Sequence, residues 1–286
     1  MMRADWHKIL SAKPDNNPFA QTTIRTTEAG HDKVDKSWHK FVTFFPYYRM
    51  YFVHSGQARL LLQNTELLLT PGYIYFVPAF SVIDADCEEI LEHAWVHFEL
   101  DITTANYLSI LKPTYKTAAL PSDEAAFSEL IETFNSSQTA QSPSALLKTD
   151  GICRYLLSRF LPNKTVLDDL NESARFLPVL QYIDEHISEQ ISNRDLARLM
   201  YLSTTYFANL FTKQFGIAPR QYVLNKRMSA AAKAILENKQ TVKEIAFSLG
   251  FENESYFNRL FRKFTGVPPT AYRKINKGAP PRITRN

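Results

Sequence analysis

The sequence has no apolar run of the ~18 residues that a membrane span needs. Its first residues, Met1-Met2-Arg3-Ala4-Asp5-Trp6-His7-Lys8, lack the apolar core of a secretory signal. These absences predict a cytoplasmic chain with no membrane partner. Cysteine is scarce: Cys87 and Cys153 stand far apart and form no Cys-x-x-Cys pair. They fit a reducing compartment and are expected as inert core residues. Histidine never occurs as His-x-His. His93 and His97 are four apart, so on a strand they would lie ~13 Å from each other. That is too far for both to hold one metal ion directly. No metal, cofactor or catalytic residue is expected, and the chain is not read as an enzyme.

What remains is a globular balance. The 286 residues, 45% hydrophobic and 22% charged, suffice for two domains. The net charge of +4 is unevenly spread: residues 174–286 hold 18 Lys+Arg against 8 Asp+Glu, and residues 1–173 hold 15 against 21. A basic block joined to an acidic one places any polyanion contact in the C-terminal part.

Residues 1–20 read as a polar arm. From about Thr22 to Leu100 the pattern is β-like, with short runs at 51–54, 58–62, 66–69 and 73–77. Turn signals at Ser55-Gly56, Gln63-Asn64 and Pro71-Gly72 separate them. Such spacing predicts a small barrel or sandwich. Two amphipathic helices follow, over Ser122–Phe134 and Ser144–Phe160, the second interrupted by Gly151. The predicted division is a first domain over 1–161, a linker over 162–174, a helical domain over 175–276 and a basic tail over 277–286.

The strongest signal is an internal repeat of about fifty residues. Asp195-Leu196-Ala197-Arg198-Leu199-Met200 matches Glu244-Ile245-Ala246-Phe247-Ser248-Leu249. Tyr206-Phe207-Ala208-Asn209-Leu210-Phe211 matches Tyr256-Phe257-Asn258-Arg259-Leu260-Phe261. Gly216, Pro219 and Tyr222 match Gly266, Pro269 and Tyr272. Two copies are too few for a solenoid, which needs about three; two compact helix-turn-helix units fit. The first opens at Ser192 and the second at Thr241, where Thr241 and Glu244 fit a capping box. Leu196, Leu199 and Met200 are expected as one buried stripe, and Ile245, Phe247 and Leu249 as the other. Ser203 and Asn253 are good N-caps for the second helices.

Those second helices have two distinct faces. Phe207, Leu210, Phe211 and Phe215 share one side, as do Phe257, Leu260, Phe261 and Phe264. Opposite them stand Thr205, Ala208, Asn209 and Thr212 in the first unit, and Ser255, Asn258, Arg259 and Arg262 in the second. A helix fits the major groove, where Asn can pair with adenine and Arg with guanine. Ser203, Lys213, Arg220, Lys226, Arg227, Arg262 and Lys263 are expected to meet phosphates, which supply affinity without sequence information.

At this point the sequence resembles the AraC/XylS family of bacterial transcription factors. The likeness covers roughly residues 176–274 and rests on Ile245-Ala246, Leu249-Gly250-Phe251, Ser255-Tyr256-Phe257, Phe261-Arg262-Lys263-Phe264-Thr265-Gly266, Pro268-Pro269 and Tyr272-Arg273. It implies two subdomains joined by a helix over Pro219–Leu236, with recognition helices in successive major grooves ~34 Å apart. It places base reading on Thr205, Ala208 and Asn209, and on Glu254, Ser255 and Arg259. Ala208 can only touch a thymine methyl, and Glu254 can accept from cytosine or serve the helix dipole.

Phe52-Val53-His54-Ser55-Gly56 and Leu67 to Pro78 resemble the cupin-type sensing domain of the same family. The implied fold is α+β and multidomain: a cupin-like β-barrel with two helices used for dimerisation, then an all-α domain of two helix-turn-helix subdomains. The segment His93-Ala94-Trp95-Val96-His97-Phe98 resembles a ligand-contacting strand of sugar-sensing members, which assigns effector contacts to His93 and Trp95. A homodimeric activator follows, with double-stranded DNA, a small effector such as a sugar, and RNA polymerase as partners. Two alternatives stay open: a regulator without an effector, and a cupin enzyme fused to a helical module.

Overall fold

A computed structural model describes residues 22–36, 38, 45–62, 65–136, 142–162 and 174–275. The polar arm, most of the predicted linker and the basic tail lie outside them. The first domain contains β1 (Ile24–Val34), β2 (Tyr48–Gly56), β3 (Ala58–Leu62), β4 (Glu66–Leu69), β5 (Tyr73–Val77), β6 (Val82–Asp86) and β7 (Leu91–Leu100). Then come helix α1 (Ile102–Leu111), strand β8 (Lys116–Ala118), and helices α2 (Pro121–Asn135) and α3 (Pro143–Ser158). The strands form two antiparallel sheets, one in the order β1-β7-β2-β5-β8 and one in the order β4-β3-β6.

Side-chain alternation along β7 builds both layers of the core. Ala94, Val96 and Phe98 face α2 and α3, where they join Phe127, Leu130, Leu156 and Phe160. Leu91 and Trp95 face the other sheet, with Tyr51, Leu60, Leu69 and Tyr75. A one-residue slip would exchange the two faces, so the hydrophobic pattern fixes the register. The helix pair is pinned by Asp123, whose side chain is wholly buried. Its carboxylate accepts from the Leu120 amide at 2.8 Å, the Tyr155 hydroxyl at 2.9 Å and the Arg159 Nε at 3.0 Å. A buried charge is tolerated only when it is satisfied in this way. Gly151 lies within α3 without breaking it.

The sequence pattern did not reveal α1. Asp101 caps it by accepting from the Thr104 amide at 2.9 Å. Its buried residues are Thr104, Asn106, Leu108 and Ile110, because the helix is wedged between the domains. Leu108 packs in the first domain's core and Ile110 in the second's. Burial on two sides erases the single apolar stripe that marks a surface helix.

The second domain contains α4 (Leu177–Glu185), α5 (Asn193–Leu199), α6 (Thr204–Phe215), α7 (Pro219–Glu237), α8 (Val242–Ser248), α9 (Glu254–Thr265) and α10 (Pro269–Ile275). It has two cores, one around Phe176, Leu180, Phe207 and Phe211, the other around Met228, Ile235, Phe257 and Phe261. Helix α7 feeds both and joins the units. Capping boxes open α5 at Ser192/Asp195 and α8 at Thr241/Glu244. Gly216 and Gly266 close α6 and α9 in the left-handed conformation, which glycine adopts at little cost. Two expected core residues are corrected: Leu199 is 37% exposed and Phe247 49% exposed. Phe247 lies two residues, about 200°, around the helix from buried Ile245, so it cannot share that stripe.

Candidate nucleic-acid interface

Ser203 and Asn253 start α6 and α9 by accepting from the amides of Tyr206 and Tyr256. From there the two helices repeat each other almost residue for residue in burial. Phe207/Phe257 and Phe211/Phe261 are inside; Thr205/Ser255, Asn209/Arg259, Thr212/Arg262 and Lys213/Lys263 are exposed. The faces predicted to read bases therefore stand in solvent on both units. Chemistry differs between them. Thr212 donates its hydroxyl to the Ala208 carbonyl at 2.7 Å, leaving the Asn209 amide as the most versatile group on α6. On α9 the Arg259 guanidinium lies 5.9 Å from the Tyr256 ring centroid. Ala208, Asn258 and Glu254 are only partly exposed, and the Asn258 side-chain amide oxygen is buried with no hydrogen-bond partner among the described residues. The exposed rings of Tyr206 and Tyr256, at matched positions, join these faces; the repeat contained them, but as matching letters rather than as surface groups.

Five of the seven phosphate candidates, Ser203, Lys213, Arg220, Arg262 and Lys263, are exposed. The other two are corrected. Arg227 is buried, with Nε donating to the Ile187 carbonyl at 2.8 Å and a terminal nitrogen donating to the Glu189 carbonyl. Lys226 donates to Asp184 at 2.9 and 3.2 Å and to Asn106 at 3.1 Å. Both cations are consumed by the fold. No sequence signal links Lys226 to partners so distant along the chain.

In the first domain, His93 and Trp95 lie on the inward face of β7. His93 is buried, 5.7 Å from the Trp38 ring and 5.4 Å from the Tyr51 ring. Its Nδ1 has no hydrogen-bond partner among the described residues, and burial pushes its pKa down to about 3. It is therefore neutral at neutral pH. Trp95 donates to Asp32 at 2.8 Å and lies over Gly30, where a Cβ would come within 2.8 Å of the indole. His97 packs at a tilt against Trp95 with centroids 4.5 Å apart and contacts Glu28 at 3.2 Å. Among the described residues no three His, Cys, Asp or Glu side chains are grouped to hold a metal ion.

A cavity of about 590 Å³ opens between the domains. Tyr48, Leu100, Ile102 and Tyr115 line it from the first domain, and Ile187, Ile217, Lys226, Lys233 and Phe264 from the second. The wall is mainly apolar, with the Lys233 ammonium and the Lys226–Asp184 ion pair as its charged groups. Lys233 is exposed and has no ion-pair partner among the described residues.

Two capped helix-turn-helix units on a basic segment, each with a polar outer helix face, define a DNA-binding regulator. Comparison with known proteins agrees. A family model described as a helix-turn-helix domain matches residues 196–275. The chain is 27% identical over 224 residues to "Probable transcriptional regulator LumQ" of Photobacterium leiognathi, covering 76% of this chain and 85% of that protein. It is 36% identical over 120 residues to the regulatory protein PocR of Salmonella typhimurium, covering 42% of this chain but only 40% of PocR. Among solved structures, ToxT from Vibrio cholerae O395 superposes with a TM-score of 0.56 at 16% identity, covering 91% of this chain and 98% of ToxT. A ToxT structure bound to an unsaturated fatty acid gives 0.51 at 13% identity, covering 89% and 95%. These likenesses carry the fold: an N-terminal β domain and a C-terminal helix-turn-helix domain. Residues 196–275 are a helix-turn-helix domain, and the chain is a DNA-binding transcriptional regulator of AraC type.

Proposed function

We propose that this protein is a homodimeric, sequence-specific activator that works with RNA polymerase and whose DNA contacts respond to a small effector. The observation that carries sequence-specific reading is the matched exposure of Thr205/Asn209 on α6 and Ser255/Arg259 on α9. Dimerisation is supported by α3, which leaves Leu146 and Leu147 uncovered, the latter 75% exposed. Isolated apolar residues on a surface are common, but adjacent ones on one helix suit a partner helix. Selection of bound sites from random DNA tests the reading. A recurrent motif with two read segments one helical turn apart is expected. Recovery of no motif, with binding that only tracks salt, would overturn it.

For the effector, the interdomain cavity supports a molecule with an apolar body and an acidic head, its carboxylate directed at Lys233. A long-chain unsaturated fatty acid, the class held by one ToxT structure, is the first probe. It is expected to raise the melting temperature saturably; free ligand at 100 times Kd contributes about 2.7 kcal/mol. Lys233→Met should weaken that stabilisation while leaving the unliganded melting temperature near its original value. A second reading places a sugar between the sheets on the Trp95 face beside His93. That site is favoured by the unpartnered His93 Nδ1, and it predicts stabilisation by sugars lost in Trp95→Ala. If neither ligand class stabilises the protein, it acts without a small effector.

A further inference from the structure

The first domain touches the two helix-turn-helix units at separate points. On the first unit the contact is polar. Asn106 of α1, almost wholly buried, donates to Asp184 of α4 at 2.9 Å and accepts from Lys226 of α7 at 3.1 Å, while Lys226 also binds Asp184. Asn106 therefore completes a closed three-residue network. Beside it, Ile110 of the same helix enters the first unit's core, and the Gln214 amide donates to the Ile110 carbonyl at 3.4 Å. On the second unit the contact is apolar. Phe80, in the turn between β5 and β6, packs against the core that contains Phe257, Phe261 and Tyr272. Its backbone is left-handed at φ 57°, a strained conformation for a bulky residue. The Phe80 amide is anchored by the Phe45 carbonyl at 2.8 Å. The cavity lies between the two contacts and is lined by residues of both units.

We infer that the first domain is a two-point clamp, Asn106 on one unit and Phe80 on the other, that sets the relative orientation of α6 and α9. Helix α7 joins the units, but the clamp adds a second, parallel connection between them. Polar and apolar contacts divide the labour: the network is satisfied in only one geometry, whereas Phe80 can slide on its apolar seat. A molecule entering the cavity between the contacts would then alter the angle between the reading helices, which is how occupancy reaches DNA. This rests on the C-terminal domain being the DNA-binding part, as argued above.

The test measures distances in the full chain without DNA. Spin labels are placed at Arg194→Cys and Lys243→Cys, exposed matched positions in α5 and α8; the native cysteines are buried and stay unlabelled. A second pair, Arg59→Cys and Lys243→Cys, reports docking of the β domain. With both contacts intact, the Arg194–Lys243 pair should give one narrow distance population. Asn106→Ala keeps the Lys226–Asp184 pair, and Phe80→Ala removes only the apolar seat, so neither enters a reading helix. Each is expected to split or broaden the Arg194–Lys243 distribution. The inference is overturned if both variants move the Arg59–Lys243 pair while Arg194–Lys243 stays unchanged, because α7 alone then fixes the units. It is equally overturned if neither pair moves. A failed DNA selection would sink the regulator reading and leave these distances untouched.

Discussion

Replacing Arg259 by alanine is expected to erase base preference at one position of the binding site and to leave the others intact. Arg259 is exposed on α9, beside Ser255 and one turn before Lys263. A guanidinium can donate two parallel bonds to a guanine edge in the major groove, and such a pair is worth about 1–3 kcal/mol of discrimination. At about 1.4 kcal/mol per factor of ten, the loss is roughly 5–150-fold on the preferred sequence and much less on sequences lacking that base. Binding titrations on the preferred site and its single-base variants measure it. Unchanged preference at every position would remove Arg259 from the reading set. The same titrations at several salt concentrations separate reading from phosphate contact. Lys263→Ala should weaken binding to all sequences and reduce the salt slope by about one unit. Lys226→Ala should leave the slope alone, because Asp184 and Asn106 already hold that ammonium.

The second large effect is on folding. Gly250→Ala is expected to destabilise the second unit by about 2–5 kcal/mol, from left-handed backbone strain together with overpacking. Gly250 has φ 77°, and a Cβ there would stand 2.2 Å from the Ser188 carbonyl oxygen and 3.0 Å from its carbon. Backbone cannot rotate away as a side chain can, so the turn after α4 must move bodily. The matched position in the first unit makes the internal control. Tyr201 shares the left-handed conformation, at φ 56°, but its side chain is 97% exposed. Tyr201→Gly should therefore change stability by no more than about 1 kcal/mol. Denaturant unfolding of both variants decides the matter. Equal effects would mean that Ser188 does not constrain the second turn.

These positions also mark what the sequence could and could not disclose. Strands β3 and β4 were legible because one side of each is buried, which imposes a period of two, whereas β2 and β5, buried on both faces, were legible as short apolar runs between turn signals. The tandem units were legible because caps, apolar stripe and helix-closing glycine recur together at one offset. Helix α1 was not, since both of its sides are covered. The fates of Lys226 and Arg227 were not either: a basic residue in sequence is only a charge, and whether it reaches a phosphate or a buried carbonyl depends on folding. Phe247 shows the converse error, in which apolar identity was counted without checking its angle around a seven-residue helix. The assignments to Thr205, Asn209, Ser255 and Arg259 needed only a local helical period, and the structure leaves all four accessible.

Helices α6 and α9 share a burial pattern but not a chemistry. One presents Thr205 and Asn209, uncharged; the other presents Arg259 and Arg262. A DNA segment gripped by two unlike heads has a front and a back. The bound chain cannot be turned end for end without exchanging a neutral reader for a cationic one. Each site would therefore impose a heading, fixing on which flank of it the sensing half comes to lie.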